Sequence, residues 1–265
     1  MLDWIRTRLQ QGTRTSRFPR NGADFPERFR GRPVRDPAGC RDGCLPCAAR
    51  APSAFLKTAP QGGGGGLVQL DVGACLFSPE EAAACPDGAV TYSRDHRMAA
   101  STRDALVTPT GEVELACALE DRMRKLFRRS LRLRSVVAGS CSGCEAELVA
   151  LGNVVFDLAR FGIQFVASPR HADGIVVTGA VNTNMRGALE KTYEAVPSPK
   201  LVIAVGACAL SGGPFAGSPE VAGGVGDILP VDLWVPGCPP HPLTTLDGLL
   251  RLLGVIESGE RGGSR

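Results

Sequence analysis

The chain has 265 residues, 43% of them hydrophobic, and a formal net charge of only +3. That is enough apolar material for one or two domains with a real core, and it excludes a disordered chain or a broadly nucleic-acid-binding surface. Ten cysteines, with no basic n-region and apolar h-region at the start, point to a reducing compartment and to metal or redox use rather than disulfides.

Residues 1–36 form a basic arm, with nine arginines against three aspartates and one glutamate. Leu2, Trp4, Ile5 and Leu9 among Arg6 and Arg8 predict a short amphipathic helix over 1–11, suited to anionic lipid or a membrane subunit; a solvated tail is the alternative. Region 37–110 carries Cys40-Arg41-Asp42-Gly43-Cys44-Leu45-Pro46-Cys47. After the Gly62–Gly66 linker it carries Cys75-Leu76-Phe77-Ser78-Pro79-Glu80-Glu81 and Cys85-Pro86. A connecting helix is predicted within 111–134, with Leu115, Leu119, Met123 and Leu126 on one face and Cys117 as a small buried hydrophobe.

The last region, 135–258, alternates apolar runs with helical patterns. Strands are predicted near 135–138, 163–167, 174–178, 201–205 and 231–235, and helices near 145–160, 184–195 and 243–257. The alternation specifies an α/β fold with a parallel sheet covered on both faces. The uncharged run 201–219 is broken by Gly206, Gly212, Gly213, Pro214, Gly217 and Pro219, which fits a strand and ligand loop better than a membrane span.

Four cysteines in this region follow strand ends: Cys141 and Cys144 after the first, Cys208 after the fourth, Cys238 after the fifth. In open α/β sheets such loops converge. Four soft ligands suit zinc or an iron-sulfur cluster. Only one pair is local, and glycine stands beside every ligand, so a 4Fe-4S cubane, which needs close backbone approach, is favoured. Cys144 and Glu145 begin a helix whose N–H groups suit a net negative group. Glu145 reads either as a helix-start carboxylate satisfied by backbone N–H groups or as a proton-handling group. Arg170 and His171 read as a structural turn, with an interface near the cluster as the alternative.

Cys141-x-x-Cys144-Glu145, Ser168-Pro169-Arg170-His171-Ala172-Asp173, Val177-Thr178-Gly179, Gly206-x-Cys208 with Ser211-Gly212-Gly213, and Pro236-Gly237-Cys238-Pro239-Pro240 occur in that order. Together they resemble the small, electron-transfer subunit of membrane-bound nickel-iron hydrogenases of the formate hydrogenlyase type, which is similar to the 20 kDa subunit of respiratory complex I. The resemblance covers about residues 131–255. It implies a flavodoxin-like parallel sheet carrying the cluster. The region before it resembles a bacterial two-cluster ferredoxin, a small α+β domain in which Cys40, Cys44, Cys47 and Cys85 would hold a second 4Fe-4S cluster. A further cluster, needing Cys75 and the positions of Ser78, Glu81 and Ala51, reads as lost; a wholly metal-free ferredoxin half is the alternative.

These resemblances imply an oxidoreductase subunit that relays electrons to or from the nickel-iron site of a separate large subunit. Membrane subunits would be its other partners, with no nucleic acid, and the protein would lie at the inner, cytoplasmic face of the cell membrane. A complex I-like quinone reductase is the second reading. Members of that branch resemble one another in adjacent cysteines, whereas Cys141 and Cys144 are separated by Ser142-Gly143. A cluster-free or zinc-bound assembly module is the third.

Overall fold

The computed structural model describes residues 3–21, 23–36, 38–39, 50–60, 66–127 and 130–256. Cys40, Cys44 and Cys47 lie outside them. Helix α1 (Asp3–Gln11) forms as the apolar spacing predicts and is exposed throughout, with Trp4 and Leu9 among its bare side chains. The chain after it is held down. Ser16 N–H donates to the Val155 carbonyl, and Arg160 donates to the carbonyls of Ser16 and Phe18. Phe18 and Phe25 are buried in the core of the C-terminal region.

The N-terminal half contains two small antiparallel sheets. Strand β1 (Pro33–Arg35) pairs with β4 (Val90–Tyr92). Strands β2 (Leu56–Pro60), β3 (Gly66–Asp71) and β5 (Val107–Thr108) form the other. Strands β2 and β3 pair out to Pro60↔Gly66; the rest of the predicted Gly62–Gly66 linker lies outside the described residues. Helix α2 (Pro79–Ala83) starts at Ser78 with proline in its first turn, where the missing N–H costs nothing.

Beyond it, helix α3 covers only Asp121–Phe127, and Leu131–Val137 is strand β6. The helix predicted within 111–134 is corrected accordingly. Leu131 and Leu133 are fully buried while Arg132 is exposed, the period of two that marks a half-buried strand. Residues 112–120 have no regular structure. There Ala116 occupies the buried position and Cys117 is exposed, its N–H bonded to Ser101 Oγ, contrary to the expectation for Cys117.

The C-terminal region is a five-stranded parallel sheet. Its order is β10 (Leu233–Val235), β9 (Leu201–Val205), β8 (Gly174–Thr178), β6, β7 (Ile163–Phe165). Counted within this region the order is 2-1-3-4-5, the flavodoxin-like arrangement, whose switch point lies between β6 and β8. Alternation divides the buried residues between two cores. Val176, Leu201, Ile203, Val205, Leu233 and Val235 face one side, with helices α4 (Gly143–Ala150) and α7 (Pro242–Leu252). Ile175, Val177, Val202, Ala204 and Trp234 face the other, with α5 (Thr183–Ala195), α6 (Ala207–Ser211) and residues 55–77 of the N-terminal half.

The N-terminal half is therefore one cover of the parallel sheet. It also closes the β10 edge, since Ala100 and Trp234 exchange both backbone hydrogen bonds, at 3.0 and 2.9 Å, which leaves that edge less open to other chains. Every residue of α7 is buried, including the ion pair Asp247–Arg251 at 2.7 Å. Each buried leucine there is worth about 1.5–3 kcal/mol, so α7 anchors the sheet face. The helix predicted over 145–160 stops at Ala150 because Gly152 and Asn153 follow. The Asn153 side chain accepts from the N–H groups of Val155 and Phe156 and fixes a turn.

Candidate metal centre

Parallel strands end on one edge, so the loops following β6, β9 and β10 meet there. Cys141 lies in the loop after β6 and is exposed, and Cys144, in the first turn of α4, is buried. Cys208 lies in α6, just past β9, and Cys238 follows β10. Burial first, and then the negative charges of Glu145 and the other three cysteines, push the Cys144 thiol up to about 12. Burial and the charges of Cys238 and Cys141 push Cys208 up to about 11. Cys238 is raised by burial, by Cys141 and by Glu81. The thiols thus feel one another, and their joint ionisation needs a cation; binding a metal ion releases those protons. Among the described residues no three His, Cys, Asp or Glu side chains meet at the spacing of a single bound ion.

The backbone around these sulfurs leaves no room for side chains. Gly206 sits at φ +91°, and a Cβ on it would stand 2.4 Å from Cys144 Sγ. Gly213, at φ +55°, would bring a Cβ to 2.8 Å from Cys208 Sγ. Both positions require glycine for conformation and for space. A soft four-thiol donor set with bare backbone against its sulfurs fits an iron-sulfur cluster.

The carboxylate of Glu145 accepts from the Thr178 hydroxyl at the end of β8, and its other oxygen is buried without a partner. The N–H groups of its own helix do not satisfy it, which corrects the helix-start reading of this residue. Arg170 and His171 form an exposed 3-10 turn leading into the start of β8. They therefore sit at the opposite edge of the sheet from the cysteines. This position agrees with the structural-turn reading and not with the interface beside the cluster.

On the N-terminal side, Cys85 is buried and accepts from Ala89 N–H at 3.3 Å. Gly39, which precedes Cys40, lies close to Ala89: a Cβ on it would stand 3.2 Å from the Ala89 Cβ. Sequence reasoning missed the network around Cys75. Glu81 is fully buried, and its carboxylate accepts from the N–H groups of Leu76 (2.9 Å) and Ser78 (3.2 Å), from the Ser53 hydroxyl and from the Cys75 thiol (3.2 Å). The Tyr92 hydroxyl stands 3.1 Å from the same carboxylate and 3.0 Å from the Ser78 carbonyl, sharing its one proton between them. Burial, reinforced by the Glu81 charge, pushes the Cys75 thiol far up, so it is a hydrogen-bond donor. The available signal was the pairing of Glu81 with a ferredoxin ligand position.

The two halves are tied by Asp71. Burial pushes its carboxyl up, but the hydrogen bonds and charges of Arg103 and Lys57 outweigh this and hold it below the usual range. Arg103 bonds Asp71 at 2.7 Å and also donates to the Leu210 carbonyl in α6. The turn 72–74 then packs directly against α6, the helix of Cys208.

The family model described as NADH ubiquinone oxidoreductase, 20 Kd subunit, matches residues 141–252. Formate hydrogenlyase subunit 7 of Escherichia coli (strain K12) is 41% identical over 157 residues, which are 58% of this chain and 62% of that relative; the chain thus spans less than two thirds of that protein. An NADH-quinone oxidoreductase subunit of Heliobacterium modesticaldum is 46% identical over 121 residues, 45% of this chain and 69% of the relative. A probable membrane-bound hydrogenase subunit of Pyrococcus furiosus is 42% identical over 138 residues, 51% of this chain and 83% of the relative. The residues matched by the family model begin at Cys141 and end with α7, so they take in the four cysteines and four of the five strands of the parallel sheet. This chain belongs to the NADH ubiquinone oxidoreductase 20 Kd subunit family, to which complex I and hydrogenase small subunits are related, and it carries an additional N-terminal region.

Proposed function

We propose that the chain is the iron-sulfur electron-relay subunit of a multisubunit nickel-iron hydrogenase or formate hydrogenlyase-like complex. Cys141, Cys144, Cys208 and Cys238 would hold one 4Fe-4S cluster, and Cys40, Cys44, Cys47 and Cys85 a second. The observation that carries this reading is the glycine cradle: Gly206 and Gly213 present bare backbone to the sulfurs of Cys144 and Cys208. The thiolates of a cubane ligate separate irons and do not have to close on one point.

When bound, the cluster supplies one-electron relay. The protein's own part is to hold the thiolates, to leave the backbone at Gly206 and Gly213 bare against two of them, and to bury Cys144. The catalytic metal would be on a separate large subunit docked at the cysteine edge. Membrane subunits would hold the complex at the inner face of the membrane, and the bare apolar side chains of α1 suit such contact. Among the described residues no helix is long and apolar enough to cross a membrane. The Cys141-Ser142-Gly143-Cys144 spacing favours this over a quinone reductase; the similarities include subunits of both kinds.

The test is hydrogen-dependent reduction by the complex isolated with its large subunit. Cys238→Ser is expected to abolish reduction of both an artificial dye and the natural acceptor, while Cys85→Ser spares much of the dye reaction. A co-purifying large subunit without nickel, with hydrogen oxidation absent from the wild type, would overturn the hydrogenase reading.

A further inference from the structure

The ferredoxin resemblance leaves one cluster position short of ligands, with Cys75 present and serine, glutamate and alanine at 78, 81 and 51. That position is filled from within. Glu81 has no solvent exposure, and five donors converge on its carboxylate: two backbone N–H groups, two hydroxyls and one thiol. Among the described residues no Lys, Arg or His pairs with it. Donors alone face the carboxylate, the geometry that suits an acceptor-only, ionised group held by dipoles. Backbone N–H groups aimed at a negative group are also what surrounds a cluster's sulfurs, so the carboxylate takes over both the space and the donors.

The node lies against the C-terminal centre. Phe77, between the two N–H donors Leu76 and Ser78, lines a cleft together with Cys238, Pro239, Pro240 and His241. Arg30 fixes the Phe77 carbonyl at 2.5 Å, and the turn preceding Cys75 packs on α6, which carries Cys208. A fixed charge here reaches the centre by two routes: through the packed contact of the 72–74 turn with α6, where screening is weaker, and across the cleft, which Arg28 and Arg30 also line.

We propose that Glu81 is a built-in anion standing where a second ferredoxin-type cluster would be, and that its charge lowers the reduction potential of the centre held by Cys141, Cys144, Cys208 and Cys238. The proposal rests on the cluster assignment above. It makes Glu81 a tuning residue that acts on the relay through space and passes no electrons itself.

The test is a redox titration of the purified holoprotein followed by electron paramagnetic resonance, with the centre identified by its absence from Cys238→Ser. Glu81→Gln keeps the shape and removes the charge. At a fixed potential it is expected to raise the reduced-to-oxidised ratio of this centre about tenfold, an upward shift of ~59 mV for a one-electron couple, with iron content unchanged. Tyr92→Phe keeps the carboxylate and removes a donor, and is expected to move the ratio about twofold the other way. Intact iron with no shift in Glu81→Gln overturns the proposal and leaves the cluster assignment standing. Iron content insensitive to Cys238→Ser removes both. If Glu81→Gln does not fold, Tyr92→Phe decides: no shift, or a shift upward, overturns the role.

Discussion

Two places in this molecule gather groups suited to negative charge, the cysteine edge of the parallel sheet and the Cys75 node, and they differ in what they gather. At the cysteine edge of the parallel sheet, four thiols from three loops share one field, and glycine backbone lies bare against two of the sulfurs. At the Cys75 node a single thiol donates to a buried carboxylate that also collects two backbone N–H groups and two hydroxyls. The comparison sets side by side two arrangements suited to negative charge: soft ligands over bare backbone at the edge, and converging donors at the node. Whether that charge is inorganic or a glutamate depends on the number of soft ligands and on the absence of a Cβ.

The largest effect should come from closing the cradle. Gly206→Val puts carbon where the Cys144 sulfur stands, in a backbone conformation valine rarely adopts. Iron analysis is expected to show a loss of about four irons per chain; full iron retention would mean that the cradle is not used. Next is the tie between the two regions. Asp71→Ala leaves the Arg103 charge against α6 without its buried partner and should cost about 3–5 kcal/mol, read from chemical denaturation. The folded-state pKa of Asp71 is depressed, so its contribution is fully present above the ordinary value of 3.8 and is lost as pH falls toward the folded value. Thermal scans of wild type and Asp71→Asn should therefore converge in strong acid and diverge above about pH 4.

Within the node itself, Glu81→Leu strands the N–H groups of Leu76 and Ser78 and should cost about 2–4 kcal/mol, measured by the same denaturation. The smallest effect is expected for Cys75→Ser. The hydroxyl can still donate to Glu81, so stability should change by about 1 kcal/mol or less and iron content should stay the same. Iron loss in this variant would erase the distinction between the two sites.

Strands β8 and β9 were legible to the residue because all five positions in each are apolar or small and glycine or lysine marks their starts. The placement of the four cysteines beyond strand ends was legible for the same reason, since each follows such a run. Strand β6 was missed by four residues because Arg132 and Arg134, alternating with leucines, also fit a helix with a basic face. Phe127 is buried in place of the expected Leu126, and the helix ends there, about two turns earlier than the pattern implied. The role of Glu81 was hidden for a different reason: its donors come from positions 53, 75, 76, 78 and 92, and only folding brings the first and last of these to the others.

The most direct test of the account is the iron and acid-labile sulfide content of anaerobically purified wild type and Cys208→Ser, with the wild-type optical spectrum alongside. The prediction is broad visible absorption in the wild type and a loss of about four irons and four sulfides per chain in the variant. Equal iron and sulfide in the two proteins, or zinc without sulfide in the wild type, would contradict it.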